Sequence, residues 1–251
     1  MFGTGKYRAR IAETAEDVAA CQRLRYLAFL EERGLALPEG TPPLDRDEFD
    51  PACRHLMVEE ARTGTLVCCF RMLPLADGRE IGRSYSAKYY ALDNLAAFPG
   101  PMVEMGRFCI RPGLRDPDIL RTAWAAMTRY VDEEGVELLF GCSSFHGIDA
   151  EHYADAFALL KEKHLAPNRW LPRVKAPRVF RFATSLRLRK PDLKLALRRM
   201  PPLLRTYLQM GGWVSDHAVI DTELNTLHVF TGVEIARMPA ARKRMMRRAA
   251  T

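Results

Sequence analysis

Val103-Glu-Met-Gly-Arg-Phe-Cys-Ile-Arg-Pro112 decides how this chain is read. Its alternation predicts a strand ended by Pro112-Gly113, with Glu104, Gly106, Phe108 and Ile110 on one face and Met105, Arg107 and Cys109 on the other. An acid thus sits inside an apolar run, and Gly106 offers a bulge or a close backbone approach. A carboxylate against a low-dielectric wall can take a proton from an amine, so Glu104 is a candidate general base. A structural Glu–Arg pair is the plainer alternative. Downstream, Asp118–Glu134 has helical spacing, ended by Gly135, and Val136–Cys142 is a second apolar strand. That strand–helix–strand order implies a parallel crossover within a mixed sheet.

Upstream, Thr14-Ala-Glu-Asp17 has the form of a capping box opening a helix expected to run to about Arg33 and stop at Gly34. Leu35–Pro51 is a long loop rich in Pro and Asp. His55–Glu59 and Thr65–Met72 are expected to pair as a hairpin through Arg62-Thr-Gly64. Tyr85–Phe98 carries no clear period. His152–Lys163 is expected as a helix and Val179–Leu188 as a strand. Pro201-Pro202 must split 191–210 into two short helices.

The order Arg25-x-x-x-Phe29, then Asp47-x-x-Asp50, then Arg71-x-Leu-Pro74, then Glu104-x-x-Arg107 resembles the acyl-homoserine-lactone synthases. Leu139–Gly147, containing Ser143-Ser-Phe-His146, and Gly211–Asp221 resemble instead the ornithine-lipid synthase branch, over roughly residues 8 to 230. The resemblance implies an α/β, N-acetyltransferase-like (GNAT) mixed sheet flanked by helices, with a basic helical C-terminal extension. The expected division is an acyltransferase domain over 1–185, completed by 186–251.

The implied reaction moves a 3-hydroxyacyl group from the phosphopantetheine thioester of acyl carrier protein to the α-amine of ornithine. No tightly bound cofactor and no metal are implied. Glutamine as acceptor, lactone synthesis, and a basic membrane- or nucleic-acid-binding adaptor are the alternatives. In this scheme Glu104 is the base, Arg107 and His146 assist, and Arg25, Phe29, Asp47, Asp50, Arg71, Ser143, Ser144 and Phe145 hold substrate. A main-chain N–H at a bulge in Met105–Phe108 is the candidate oxyanion donor. The pyrophosphate signature R/Q-x-x-G-x-G/A of coenzyme-A users is missing: the chain reads Arg111-Pro-Gly-Leu-Arg-Asp116 there. That favours a carrier protein, which presents no pyrophosphate. Asp216, His217 and Asp221 only loosely match an H-x-x-x-x-D box, one residue short, and are assigned no chemistry.

Composition sets outer limits. The six cysteines form neither a C-x-x-C pair nor a zinc spacing, and their apolar neighbours fit reduced, buried thiols. There is no transmembrane run and no secretory signal, so a cytoplasmic place is expected, peripheral on the inner membrane at most. The net charge of +7 hides an asymmetry: residues 161–251 hold 20 Lys and Arg against 6 Asp and Glu, a local +14, leaving −7 on 1–160. Such a basic half fits an acidic partner, either carrier protein or anionic membrane, whereas no zinc finger, RNA-recognition pattern or helix-turn-helix points to nucleic acid. In 191–210, leucines flanked by arginines suit a membrane interface or a packed helix with a basic outer face.

Overall fold

The computed structural model describes residues 2–3, 5–31 and 40–250. In chain order its elements begin β1 (Phe2–Gly3), β2 (Tyr7–Ile11), α1 (Ala15–Phe29), β3 (Arg54–Glu60), β4 (Leu66–Leu75), β5 (Tyr90–Ala91), β6 (Met102–Ile110), α2 (Pro117–Glu133) and β7 (Leu138–His146). They continue α3 (Ala154–Lys163), β8 (Arg173–Val174), β9 (Val179–Phe180), α4 (Phe182–Ser185), α5 (Leu193–Arg199), α6 (Pro202–Gln209), β10 (Trp213–Asp221), β11 (Thr226–Glu234) and α7 (Ala240–Ala250). The chain divides into two compact units, one of 1–74, 105–135 and 243–251, the other of 75–104 and 136–242. β6 supplies its second half to the first unit and Met102–Glu104 to the second.

In the first unit the strands run β1–β2–β3–β4–β6. The capping box forms as predicted: the Asp17 main-chain N–H donates to Thr14 Oγ1 at 3.1 Å, and the Thr14 N–H donates back to Asp17 Oδ2 at 3.3 Å. The β3–β4 hairpin turns at Gly64, whose φ of +71° a side chain would disfavour. Met57 packs under α1 with Cys21, Leu24, Cys69 and Cys109. Arg54, two residues before Leu56 and on the same face, stacks on Tyr130 of α2 instead. The two helices therefore cover opposite faces of β3.

The second unit orders its strands β6–β7–β11–β10–β9. β6 and β7 pair in parallel, with Glu104 opposite Phe140. The other pairs are antiparallel, and β11 lies along the whole of β7. One sheet face is buried under α3 to α6, through Phe145, Phe157, Phe182, Ala196, Leu204 and Leu227. Both units are thus mixed α/β with sheets flanked by helices, the expected class.

Three boundaries differ from expectation. α1 ends at Phe29, not near Arg33, while Gly34 and the start of the Leu35–Pro51 loop lie outside the described residues. β7 continues to His146 because β11 pairs with Ser143–His146, so those residues are strand rather than a following loop. The strand expected over 179–188 is only Val179–Phe180, because α4 buries Phe182 in the core. The split at Pro201-Pro202 is observed between α5 and α6.

Candidate active site

Helix spacing places Gln22 and Arg25 on one face of α1. Arg25 is 1% exposed, a position that a guanidinium tolerates only when paired. Its Nε donates to Asp45 Oδ2 at 2.8 Å, its Nη1 to Asp50 Oδ1 at 2.8 Å and its Nη2 to Asp50 Oδ2 at 3.0 Å. Gln22 adds a donor to Asp50 Oδ2 at 2.9 Å. Arg71, on β4, holds both oxygens of Asp47 and donates to Asp50 Oδ1 at 2.8 Å. Arg107, on β6, donates to Asp45 Oδ2 at 3.1 Å and Asp47 Oδ2 at 3.3 Å. Three guanidinium groups and three carboxylates thus close on one another within the first unit.

Burial pushes the Asp47 and Asp50 carboxyls up, but hydrogen bonds and charge from Arg71 and Arg25 outweigh it and hold both below the ordinary carboxylate range. Arg107 has φ +55°, left-handed and uncommon without glycine, and it provides the irregularity expected at 105–108. The Arg71 side chain lies across Gly106, its Nε 3.5 Å from where a Cβ would stand.

Of the predicted residues, Arg25, Asp47, Asp50, Arg71 and Arg107 therefore come together. Arg25 does not close over a substrate as expected, because its donors are committed to Asp45 and Asp50, which makes it a mount for the acidic loop. Phe29, at the end of α1, packs on the core beside Ala28 and Cys21.

Glu104 stands in the second unit, 5% exposed. Its Oε2 accepts the Tyr85 N–H at 2.7 Å; its Oε1 accepts the Ser86 N–H at 2.7 Å and the Ser86 hydroxyl at 2.6 Å. Tyr85 and Ser86 open a single 3-10 turn, where main-chain N–H groups lack internal acceptors. Ser86 Oγ is also 3.5 Å from Cys142 Sγ.

Register carries this face further. Phe140, Cys142 and Ser144 alternate on one side of β7, opposite Gly232, Phe230 and His228 of β11. Trp213 lies over Gly232, where a Cβ would stand 2.5 Å from the ring, so only glycine fits. Tyr90 donates to the His228 carbonyl at 2.8 Å and has its ring against those of His217, His228 and Phe230. Burial pushes the His228 imidazole down to about 4, so it is neutral near pH 7. The Nε2 atoms of His217 and His228 are buried with no hydrogen-bond partner among the described residues.

The Ser143–His146 segment does not act as one group. Alternation puts Ser143 and Phe145 on the helix-covered face. There Ser143 Oγ accepts from Thr231 at 2.9 Å, and the Phe145 ring packs on Tyr153 and Phe157. Ser144 and His146 are exposed on the other face. His146 is six residues along β7 from Phe140, the partner of Glu104, which is roughly 20 Å of extended chain. That distance corrects the expectation that His146 orients Glu104 directly. The sequence pointed to neither Ser86 nor Tyr90, which lie in the stretch without periodicity. His217 drew notice only through a mismatched motif.

The profile of the acetyltransferase (GNAT) domain family matches residues 24–125. The chain is 36% identical over 230 residues to the L-ornithine N(alpha)-acyltransferase of Rhodobacter capsulatus, covering 89% of this chain and 88% of that protein. It is 30% identical to the enzyme of the same name from Rhizobium meliloti, covering 91% and 80%. The structure of BjaI, a CoA-dependent acyl-homoserine lactone synthase solved with MTA, superposes with a TM-score of 0.51 at 14% identity over 98% of this chain and 89% of that one, a likeness of fold. On sequence and fold together, the chain belongs to the L-ornithine N(alpha)-acyltransferase family and is an acyltransferase.

Proposed function

We propose that this enzyme transfers a 3-hydroxy fatty acyl group from acyl carrier protein to the α-amine of ornithine, giving lyso-ornithine lipid. The observation that carries the chemistry is the Glu104 carboxylate, buried and fixed by two main-chain N–H groups and the Ser86 hydroxyl. The names of the relatives support the acceptor. In the reaction the amine nitrogen attacks the thioester carbonyl; the C–N bond forms, the C–S bond breaks and the pantetheine thiolate leaves. The ammonium first gives one proton to Glu104, directly or through one water, because an ammonium has no lone pair with which to attack; the second proton, released from nitrogen as the amide forms, goes to the departing thiolate. The main-chain N–H groups beside Arg107 are the proposed donors to the developing oxyanion.

Ornithine brings a carboxylate and a second ammonium. Asp47 is the more exposed of the two acids, 14% against 6% for Asp50, so it is proposed to receive the side-chain ammonium by exchanging one of its present donors, Arg71, Arg107 or the Phe49 N–H. Arg107, half-buried at the same cluster, is proposed for the carboxylate. The missing pyrophosphate signature at Arg111–Asp116 supports carrier protein over coenzyme A. No helix among the described residues is long and apolar enough to cross a membrane. A carrier-protein donor and an amphiphilic product support a reaction in the cytoplasm at the inner-membrane surface.

The test incubates purified protein with 3-hydroxyacyl carrier protein or the matching acyl-CoA, offering ornithine, glutamine or no acceptor, and reads products by mass spectrometry. N-acyl ornithine from the carrier-protein arm is expected. Product with glutamine alone moves the acceptor, product only from acyl-CoA overturns the donor, and no N-acyl amino acid in any arm overturns the proposal.

A further inference from the structure

Residues 186–199 present an apolar surface that the fold leaves uncovered. Leu188 is 85% exposed, Leu193 50% and Leu197 47%. Leu193 and Leu197 lie one turn apart on α5, in the same apolar stripe as Ala196 and, just past its end, Met200, which are buried in the core. The stripe is therefore wider than the core covers: one edge is buried and the edge bearing Leu193 and Leu197 faces solvent.

The protrusion is built from beneath. Lys161 Nζ donates to the carbonyls of Leu186, Arg187 and Arg189 at 2.8, 3.2 and 3.0 Å, which fixes the turn bearing Leu188. Asp155 accepts from Arg189 Nη2 at 3.0 Å and from the Asp192 N–H at 3.1 Å, and Asp192 in turn caps α5. A leucine so fixed and so exposed is presented outward, not left over from poor packing.

Charge selects the occupant. Residues 181–205 hold eight Lys and Arg against one acid, Asp192. Arg187, Lys190, Lys194 and Arg198 are all exposed and stand beside the three leucines in sequence. Apolar side chains ringed by cations match the boundary between acyl chains and anionic headgroups: leucines enter the hydrocarbon while the cations remain among the phosphates. An acidic protein surface would satisfy the cations but leave the leucines in a polar setting.

We infer that this face docks the enzyme on an anionic phospholipid bilayer. The inference deepens the proposed function, since the membrane would receive the acylated product, but its test needs neither acyl donor nor ornithine.

Full-length protein is floated with vesicles of phosphatidylcholine alone or with three-tenths phosphatidylglycerol, at low and high salt. Binding to the anionic vesicles is expected, weakened at least tenfold by high salt. The triple variant Leu188→Ser, Leu193→Ser, Leu197→Ser should lose at least tenfold in vesicle affinity with unchanged thermal midpoint. It should keep acyl transfer in the absence of vesicles. The pair Lys190→Glu, Lys194→Glu, both at exposed positions, should abolish binding to the anionic vesicles. Full binding by the leucine variant overturns the inference, as does equal binding to neutral vesicles. Failure of both variants to bind carrier protein, with vesicle binding intact, would assign the face to that protein instead. Vesicle binding without transfer in the product assay would leave the docking face standing and remove only the proposed reaction.

Discussion

Two buried carboxylates in this enzyme take hydrogen bonds from different kinds of donor. In the first unit, Asp50 is held by Arg25 and Arg71, so its negative charge is cancelled where it stands. In the second, Glu104 takes hydrogen bonds from two main-chain N–H groups and a serine hydroxyl, donors that orient a carboxylate without bringing a full positive charge. The ion pairs build a scaffold: removing one member leaves the others charged and buried. Neutral donors also favour the charged carboxylate while fixing its position. The difference teaches that two similarly buried carboxylates can be fixed by unlike donors, so that mutation can separate what each does.

Glu104→Gln tests the contrast most severely. Loss of the base is expected to lower kcat for the amine about 10²–10⁴-fold at neutral pH. Thermal unfolding measured beside the kinetics separates chemistry from the loss of an acceptor for the Tyr85 and Ser86 N–H groups. Full turnover with lowered stability would make both regions scaffolds.

Asp50→Ala should act on the fold instead. It leaves the Arg25 and Arg71 guanidinium groups short of a counter-charge and is expected to cost about 3–5 kcal/mol in urea unfolding. If stability is unchanged and only the KM for ornithine rises, the cluster is a binding site before it is a scaffold.

The neutral face around Tyr90 gives a pH signature. His228 is driven down to about 4 from an ordinary 6.5 by burial, with nearby Asp221 pulling weakly the other way. Its folded value is depressed, so between those limits the unfolded chain holds the extra proton. Stability should therefore fall as pH drops from about 6.5 to about 4, by about 3 kcal/mol, and this component should level off below. His228→Phe should remove that part of the slope; an unchanged slope would exclude His228 as its source.

Ser86→Ala is the mildest change. It removes one of the Glu104 donors and keeps the Ser86 N–H, so a loss of about 1 kcal/mol is expected. A fall in kcat far beyond that loss would place the hydroxyl in the proton path rather than merely beside it.

Much of this protein was written in short stretches. The Thr14–Asp17 box, the turn at Gly64, the stop at Gly135 and the break at Pro201-Pro202 each depend on a few neighbouring residues, and each appears as read. The reason is that caps, positive-φ glycines and prolines act through local hydrogen bonds and sterics, which no distant partner needs to supply. The acids of the 45–50 loop and the arginines at 25, 71 and 107 were likewise visible as residues. That Arg25 would vanish beneath them was not, because a cation's neighbours 20 and 25 positions away are chosen by the fold.

Tertiary structure alone extended β7 to His146, since the length of a strand is set by its partner, here Thr226 of β11, 80 residues later. It alone brought Ser86 to Glu104 and divided Ser143–His146 between two faces. It also left Leu188, Leu193 and Leu197 in solvent: spacing shows that a residue is apolar and periodic, but only the packed neighbours decide which side is covered.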